Sequence, residues 1–355
     1  MCGIAGLHLR DSSLEPRLGE LLEGMMCTAA GRGADAAGVG IYGDPAVTPP
    51  GQSTVCVIGS PLPAREAAGL IGSLLAERSA SLPGEPPVPV PAAAPASVRH
   101  EVAAQAPARA GLTAGDSGAG PSGGLTGTLV RDEATVHGRD AGQTSIFTAA
   151  VEAQELARAV REALPEAVLT SRGTALGVMK GTGEPATLAE TFGLAGMSGY
   201  QGVAHTRMAT ESAVTPGGSH PYSVGPDQCM VHNGSFSNHA TIRRELQAEG
   251  IEFDSENDTE VGARFVAREL ARGASVEESL MALCRRFDGF YTLLVATADS
   301  FAVVRDAIAC KPAVIAETDR WVAMASEYRY LTGLPGVESA RVFEPEPEVV
   351  YTWQR

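Results

Sequence analysis

The chain opens Met1-Cys2-Gly3-Ile4-Ala5-Gly6, and this terminus constrains the fold more than any other feature of the sequence. Residues 2–9 are apolar and glycine-punctuated, which predicts a strand with Cys2 at its start, beside a cleft next to the core. If Met1 is removed, Cys2 carries both a thiol and a free α-amine basic enough to take the thiol proton. A cysteine at this position can also be a small buried hydrophobe, so the terminus alone leaves two interpretations open.

Periodicity along the rest of the chain favours alternating blocks of strands and helices. Helices are predicted at residues 14–29, 64–78, 151–164, 186–192, 259–271 and 276–286. Strands are predicted at 37–42, 54–59, 290–296, 301–305, 313–317 and 321–325, with paired short strands in 167–180 and further strands in 200–235. Strands at both ends with helices between them predict an α+β fold of two packed sheets covered by helices.

One segment differs in composition from the rest. Proline, alanine and glycine dominate residues 81–127, aromatic residues are absent and the apolar periodicity is lost. Such a segment is typical of a disordered or extended surface insertion. We therefore expect one domain over residues 1–355, interrupted at 81–127.

Charge and cysteine usage exclude several functions. The formal charge is −15 without a basic run, which argues against nucleic acid or an anionic membrane as partner. No apolar run reaches the roughly 18 residues of a membrane span, and the N-terminus does not have the pattern of a signal peptide. The six cysteines are scattered without metal-ligand spacing. We expect reduced thiols, no bound metal and a cytoplasmic location.

A nucleophilic Cys2 requires an oxyanion hole and groups that bind the substrate. Asn233-Gly234 follows an apolar strand and offers an amide and a backbone N–H, although Asn-Gly is first of all a common turn. Arg207 could grip a carboxylate in bidentate fashion, or be an ordinary surface cation. Asp258 could bind an ammonium group, although Asn257 and Glu260 have the spacing of a helix capping box, which would alone explain that cluster.

Five motifs together carry a resemblance to a known family. They are Cys2-Gly3-Ile4, Arg32-Gly33-Ala34-Asp35-Ala36-Ala37-Gly38, His205-Thr206-Arg207, His232-Asn233-Gly234 and Asn257-Asp258-Thr259-Glu260. In this order they resemble the class II glutamine amidotransferases, which have the N-terminal-nucleophile hydrolase fold. The resemblance covers residues 1 to about 43 and about 195 to 335. It implies an αββα sandwich of two stacked, mainly antiparallel sheets.

The resemblance also implies a role for each site residue. Cys2 would attack the side-chain amide of L-glutamine and form a γ-glutamyl thioester while its α-amine shuttles protons. Asn233 and the Gly234 N–H would form the oxyanion hole. Arg207, helped by Thr210, would hold the substrate α-carboxylate, and Asp258 would hold the α-ammonium. Arg32 would brace the surroundings of the nucleophile.

Within this class, the chain resembles the free-standing subunits related to glutamate synthase, especially the amidotransferase component of N-methylglutamate synthase. The resemblance rests on residues 208–238 with Gly289-Phe290-Tyr291-Thr292, Arg305-Asp306, Cys310-Lys311-Pro312 and Ala325-Ser326-Glu327. It implies a hetero-oligomer in which one other chain is a flavin-dependent synthase and another is a glutamate-synthase-like β-helix protein. FMN and iron–sulfur clusters would belong to those partners, and no cofactor is expected in this chain.

Two other functions remain open from the sequence. The chain could be an autonomous N-terminal-nucleophile amidohydrolase that cleaves a γ-glutamyl or related amide without an acceptor. It could also be a catalytically silent scaffold, in which case Met1 would be retained. The insertion at 81–127 could bind a partner, regulate activity, or be a loop that has drifted.

Overall fold

The structure is a computed structural model that describes residues 2–81, 135–208 and 214–355. Within these ranges the strands are β1 Gly3–Leu9, β2 Ala36–Tyr42, β3 Ser53–Ile58, β4 His137–Ala141, β5 Thr144–Ala149, β6 Val168–Gly173, β7 Leu176–Thr182, β8 Gln201–Arg207, β9 Gln228–Phe236, β10 Gly289–Thr297, β11 Ser300–Arg305, β12 Val314–Glu317, β13 Trp321–Ala325, β14 Arg341–Phe343 and β15 Tyr351–Gln354. The α-helices are α1 Leu18–Ala29, α2 Ala64–Ser81, α3 Ala153–Ala163, α4 Pro185–Phe192, α5 His239–Ala248, α6 Asp258–Ala271 and α7 Val276–Arg286.

Two antiparallel sheets form the centre of the fold. The larger has the order β14-β12-β13-β1-β8-β2-β7, and the smaller has the order β15-β11-β10-β9. They pack face to face through buried side chains that include Ile4 and Val203 from the large sheet and Val231 and Leu294 from the small one. Because alternate residues of a strand point to opposite faces, the neighbours of these residues pack outward.

Helices cover both outer faces of this pair of sheets. Leu7 and Val39 of the large sheet pack against α1, in a cluster that includes Leu22 and Met25. The small sheet packs against α5, α6 and α7, where Phe236 and Leu293 meet apolar residues of those helices. The resulting order is helix, sheet, sheet, helix, so the described residues form a mixed α/β fold with antiparallel sheets.

A third sheet extends the two-sheet arrangement expected from the sequence. It has the order β4-β5-β3-β6, and one of its faces packs on α2 and α3 through a cluster that includes Phe147 and Leu156. The prediction of paired strands in 167–180 is wrong, because β6 pairs with β3 in the third sheet while β7 pairs with β2 in the large one.

A distant carboxylate explains why β6 and β7 separate. Asp227 accepts hydrogen bonds from the backbone N–H groups of Thr174, Ala175 and Leu176, at 3.0, 2.8 and 2.9 Å. These bonds pair the backbone N–H groups of the link where the chain crosses from one sheet to the other. Leaving such groups buried without a hydrogen bond would cost free energy. A hairpin turn is therefore not needed between the two strands.

Other differences from the prediction are local. A 3₁₀ helix at Ser12–Arg17, with Pro16 inside it, precedes α1, and α5 was not predicted. Apart from Ser81 at the end of α2, the segment 81–127 lies outside the described residues. No helix in the described ranges is long and apolar enough to cross a membrane. All six cysteines are free thiols.

Candidate active site

The register of β1 brings Cys2 to the space between the two sheets. In β1, Gly3 pairs with Thr206 and Ile4 with His205 of β8, which places Cys2 level with Arg207. Side chains alternate along a strand, so Cys2 shares the face of Ile4, which points toward the small sheet. The terminus is thus held beside the core, as the glycine-punctuated strand predicts.

Most of the site residues predicted from the sequence line one cavity of about 270 Å³. This volume is near the lower end of the range for small-molecule pockets, about 300–1,000 Å³. The lining residues are Cys2, Arg32, Arg207, Met208, His220, His232, Asn233, Gly234, Asn257, Asp258, Thr259 and Lys311. Thr210, the remaining predicted residue, lies outside the described residues, as does Met1.

The thiol of Cys2 is perturbed by its surroundings. Burial is the largest influence and raises the pKa of the thiol, but the imidazole of His205 and smaller influences that include the Met208 backbone together outweigh it, so the pKa falls from the ordinary 9.0 to about 7. Arg32 Nε donates to the Cys2 carbonyl oxygen at 3.0 Å, and Arg32 Nη1 forms an ion pair with Glu327 at 2.7 Å. Arg32 therefore contacts the backbone of Cys2 and helps to fix it.

The Asn233 side chain is held over the Cys2 backbone. Its Nδ2 donates to the Cys2 carbonyl oxygen at 3.1 Å and to Ser326 Oγ at 3.3 Å. At Gly234 the backbone φ is +136°, and a Cβ would lie 1.9 Å from the Phe290 carbonyl oxygen. Only glycine fits this conformation next to β10. Asn233 and Gly234 lie within β9, so this Asn-Gly pair is part of a strand and does not form a turn between strands.

The Arg207 side chain is largely buried, with 7% of the residue exposed, and its guanidinium is held by a backbone carbonyl group. Its Nη1 donates to the Gly218 carbonyl oxygen at 2.6 Å. The loop that carries Gly218 is itself held by buried Lys180, whose Nζ donates to the carbonyl oxygens of Ser219 at 2.8 Å and Pro221 at 3.3 Å. The guanidinium is therefore a fixed positive charge on one wall of the cavity.

Asp258 is the first residue of α6 and lines the same cavity. Its Oδ2 accepts from the Phe236 N–H at 2.9 Å. Asn257 caps the helix, since its Oδ1 accepts from the Thr259 N–H at 2.9 Å. The capping box does not close, because Glu260 accepts instead from the N–H groups of Asp254 and Ser255.

Histidines and a lysine complete the site, and sequence reasoning assigned them no role. His205 stacks on His220 at 4.1 Å, and both His220 and His232 contact the Thr259 hydroxyl, at 3.0 and 2.9 Å. Burial lowers the pKa of His220 well below its usual range and that of His232 to about 4. These two rings are neutral at pH 7.

The sequence pointed to some of these histidines and to the lysine, although it gave them no role. His205, His232 and Lys311 stand within short motifs already singled out, whereas His220 lies only within the longer stretch 208–238, in Ser219-His220-Pro221. A histidine in an apolar strand is a weak indicator by itself. Among the residues that the structure describes, no group of three or more His, Cys, Asp or Glu side chains is arranged to hold a metal ion.

Comparisons with known proteins agree with this geometry. A family model described as a glutamine amidotransferase domain matches residues 205–333. The chain is 41% identical over 356 residues to the glutamine amidotransferase-like protein GlxB of Rhizobium meliloti (strain 1021), covering 99% of this chain and 98% of that protein. It is 36% identical over 135 residues to a glutamine–fructose-6-phosphate aminotransferase of Mycobacterium bovis, covering 37% of this chain and 22% of that enzyme.

A solved structure titled as the allosteric regulatory enzyme of purine biosynthesis shares the fold. The match has a TM-score of 0.53 at 14% identity and covers 99% of this chain and 49% of that chain. Together, the sheets, the cavity and these matches define a class II glutamine amidotransferase. The chain belongs to the glutamine amidotransferase family, together with the GlxB protein that it matches over nearly its whole length.

The cap of α6 gives a first testable prediction. Asn257→Ala removes the N-cap and should lower the free energy of unfolding by about 1 kcal/mol. Because Asp258 follows directly, we also expect the KM for glutamine to rise about tenfold, or about 1.4 kcal/mol. Chemical denaturation and steady-state kinetics measure both effects.

Ser275→Ala is the matched control for this prediction. Ser275 caps α7 in a complete capping box, outside the cavity. It should cost about the same stability and leave KM unchanged. An equal rise of KM in both variants would show that the effect comes from general loosening of the fold.

Proposed function

We propose that this chain hydrolyses L-glutamine to glutamate through a thioester on Cys2 and supplies the ammonia to a separate synthase. The observation that carries the proposal is the convergence of Cys2, Arg207 and Asp258 on one cavity. A free amino-acid head requires a cation for its carboxylate and an anion for its ammonium. A thiol of lowered pKa between such groups is suited to attack on the side-chain amide.

Contacts of Arg207 and Arg32 support the binding roles proposed for this site. Arg207 keeps its guanidinium fixed against Gly218 and would bind the α-carboxylate, helped by Thr210. Asp258 would bind the α-ammonium. Arg32, through its bond to the Cys2 carbonyl oxygen, would position the nucleophile.

The chemistry proceeds in two halves. The Cys2 thiolate attacks the side-chain carbonyl carbon, and the oxyanion that forms is stabilised by Asn233 Nδ2 and the Gly234 N–H. The C–N bond then breaks, ammonia leaves with one added proton, and the γ-glutamyl thioester remains. Water hydrolyses the thioester to glutamate and restores the thiol. Removal of Met1 frees the α-amine for proton transfer.

The acceptor of the ammonia lies, in this proposal, on other chains. The resemblance to the amidotransferase component of N-methylglutamate synthase supports a cytoplasmic hetero-oligomer with a flavin-dependent synthase and a glutamate-synthase-like β-helix protein. FMN and iron–sulfur clusters would be bound by those chains. Affinity purification of the tagged full-length chain from its source, followed by absorbance spectroscopy, should recover a flavoprotein in fixed ratio. Recovery of the chain alone would contradict this arrangement.

The reaction itself is tested by intact mass and by labelling. Loss of Met1, followed by one adduct on Cys2 after treatment with a glutamine-analogue electrophile such as diazo-oxo-norleucine, would support processing, nucleophile and substrate class together. High activity of the lone chain on larger γ-glutamyl amides would favour an autonomous amidohydrolase. Retention of Met1 with no adduct and no turnover would favour a silent scaffold.

Asp258→Asn tests the binding of the ammonium group. The variant keeps the shape of the side chain but loses its charge, so the KM for glutamine should rise about 30-fold or more, or about 2 kcal/mol and upward. Alkylation of Cys2 by iodoacetamide should change far less. Asp254→Asn is the control, because Asp254 pairs with Arg264 and does not line the cavity. Equal losses in glutamine binding and thiol reactivity would rule out the ammonium-binding role.

A further inference from the structure

A second cavity, here called the α6 cleft, lies between the third sheet and helix α6. Its volume is about 590 Å³, compared with about 270 Å³ for the active-site cavity, and it falls within the usual range for small-molecule pockets. Arg172, near the end of β6, lines it from one element, and Ala267 and Leu270 line it from α6. The two cavities share no lining residue among those that the structure describes, so the α6 cleft is a separate site.

Several apolar side chains line the cleft. Val224 and Pro226 contribute from the loop before β9, Ile251 from the segment after α5, and Leu270 from α6. Val224, Ile251 and Leu270 pack on the cluster between the small sheet and its helices but remain partly exposed. Small-molecule sites typically combine an apolar lining of this kind with a few polar groups that fix the orientation of the ligand. The cleft therefore suits a ligand with an apolar body.

Arg172 brings a positive charge into this apolar surrounding. The residue is half-buried, and within the part of the chain that the structure describes its guanidinium makes no ion pair or hydrogen bond. Burial lowers the pKa of Arg172, and repulsion from Arg161 and Arg264 lowers it further, but an arginine stays charged at physiological pH. A partly buried charge without a partner costs free energy. An anion bound at Arg172 would recover part of that cost.

The other two arginines that line the cleft, Arg264 and Arg268, are already paired with carboxylates. The pairs are Arg264–Asp254 at 2.7 Å, Arg264–Glu260 at 2.8 Å, Arg268–Glu249 at 2.9 Å and Arg268–Glu269 at 2.8 Å. Arg172 is therefore the source of an unbalanced positive charge in the cleft, and Arg161 of α3 strengthens it. In a chain with a formal charge of −15, this positive site is a local exception.

We propose that the α6 cleft binds an organic monocarboxylate with an apolar body. The carboxylate would be held by Arg172, because the planar guanidinium donates two parallel hydrogen bonds to such a group. The body would lie against Val224, Ile251 and Leu270. One unbalanced cation matches a charge of −1 better than the charge of about −1.5 to −2 on a phosphate monoester.

The lining of the cleft also separates this ligand from glutamine. No Asp or Glu is among the described residues that line the cleft, so the ammonium group of a free amino acid would find no carboxylate there. The active-site cavity, in contrast, contains both Arg207 and Asp258. The two cavities are therefore built for different classes of carboxylate.

The probe is 4-phenylbutyrate, which carries one carboxylate on an apolar body and has no ammonium group. Titration into the full chain, followed by saturation-transfer NMR of the ligand, should give a Kd on the order of 1 mM, as expected for a ligand of this size. The neutral analogue 4-phenylbutanamide has the same body without the charge. It should bind about tenfold more weakly, because it cannot form the charge-assisted pair with Arg172.

Arg172→Met removes the charge but keeps a long unbranched side chain. It should weaken the binding of 4-phenylbutyrate about tenfold and leave that of the amide within about twofold. Arg158→Met is the matched control. It removes the same charge from an exposed position of α3 that does not line the cleft, and it should leave both affinities unchanged.

Ala267→Phe tests the position of the ligand independently of charge. Ala267 is partly exposed on α6, so a larger side chain there would fill the cleft without entering the core. The variant should lose binding of both the acid and the amide. Its circular dichroism spectrum should match that of the parent chain.

Four results would overturn the proposal. They are no binding of 4-phenylbutyrate to the parent chain, equal affinities for the acid and the amide, equal losses in Arg158→Met and Arg172→Met, and binding that persists in Ala267→Phe. The measurement does not depend on glutamine hydrolysis. Its outcome therefore stands whether or not the proposed glutaminase function holds.

Discussion

Cys2→Ala should lower glutamine hydrolysis by a factor on the order of 10⁴ or more, because none of the other lining residues described carries a thiol that could form the thioester. The fold should survive the change. Cys2 lies before the first residue of β1, and its thiol makes a long contact, 4.0 Å, with the Met208 carbonyl oxygen. The free energy of unfolding should change by about 0.5 kcal/mol or less. Ammonia release and chemical denaturation measure the two quantities.

Cys284→Ala provides the control for general effects of removing a cysteine. Cys284 is a partly buried free thiol in α7, on the outer helix layer and away from the cavity. Its replacement should leave hydrolysis near the parent rate. Turnover by Cys2→Ala at a comparable rate would mean that another nucleophile carries the reaction.

The sequence predicts the elements that hold the site better than it predicts the site's inner contacts. The strand after Cys2 and the helix after Asn257 are set by local patterns, an apolar glycine-punctuated run and an N-cap, and both are observed. Once these elements are placed in antiparallel sheets, the ends of β1 and β8 meet, and Cys2 comes level with Arg207. The resemblance carried by the five motifs in this order was enough to group these residues.

Contacts between distant segments could not be predicted in this way. The link between β6 and β7 has the length of a hairpin, and only the carboxylate of Asp227, some 52 positions along the chain, shows that it crosses between sheets. His205 was likewise noticed only as part of a motif, because its partner Asn233 lies 28 positions away. Physical roles that depend on tertiary hydrogen bonds have no local signature.

Asn233→Ala should lower kcat for glutamine by about 10²–10³, the usual cost of losing one oxyanion donor, with little change in KM. The same change leaves His205 Nε2 buried without its acceptor, 3.1 Å from where Oδ1 stood. We therefore expect a loss of about 1–3 kcal/mol in the free energy of unfolding. Kinetics and denaturation of one preparation give both numbers.

The two losses have different origins, and Asn233→Asp separates them. An aspartate keeps an oxygen acceptor for His205 but replaces the Nδ2 donor with a second oxygen, which repels the developing oxyanion. Only the part of the stability that comes from the His205 contact should be restored, because the new oxygen faces the Cys2 carbonyl oxygen to which Nδ2 donated. The value of kcat should stay at least as low as in the alanine variant. Recovery of kcat together with stability would mean that Asn233 serves the packing of the site, and the oxyanion would need another donor. Continued loss of kcat in a stable protein would leave the amide N–H as the group that the reaction requires.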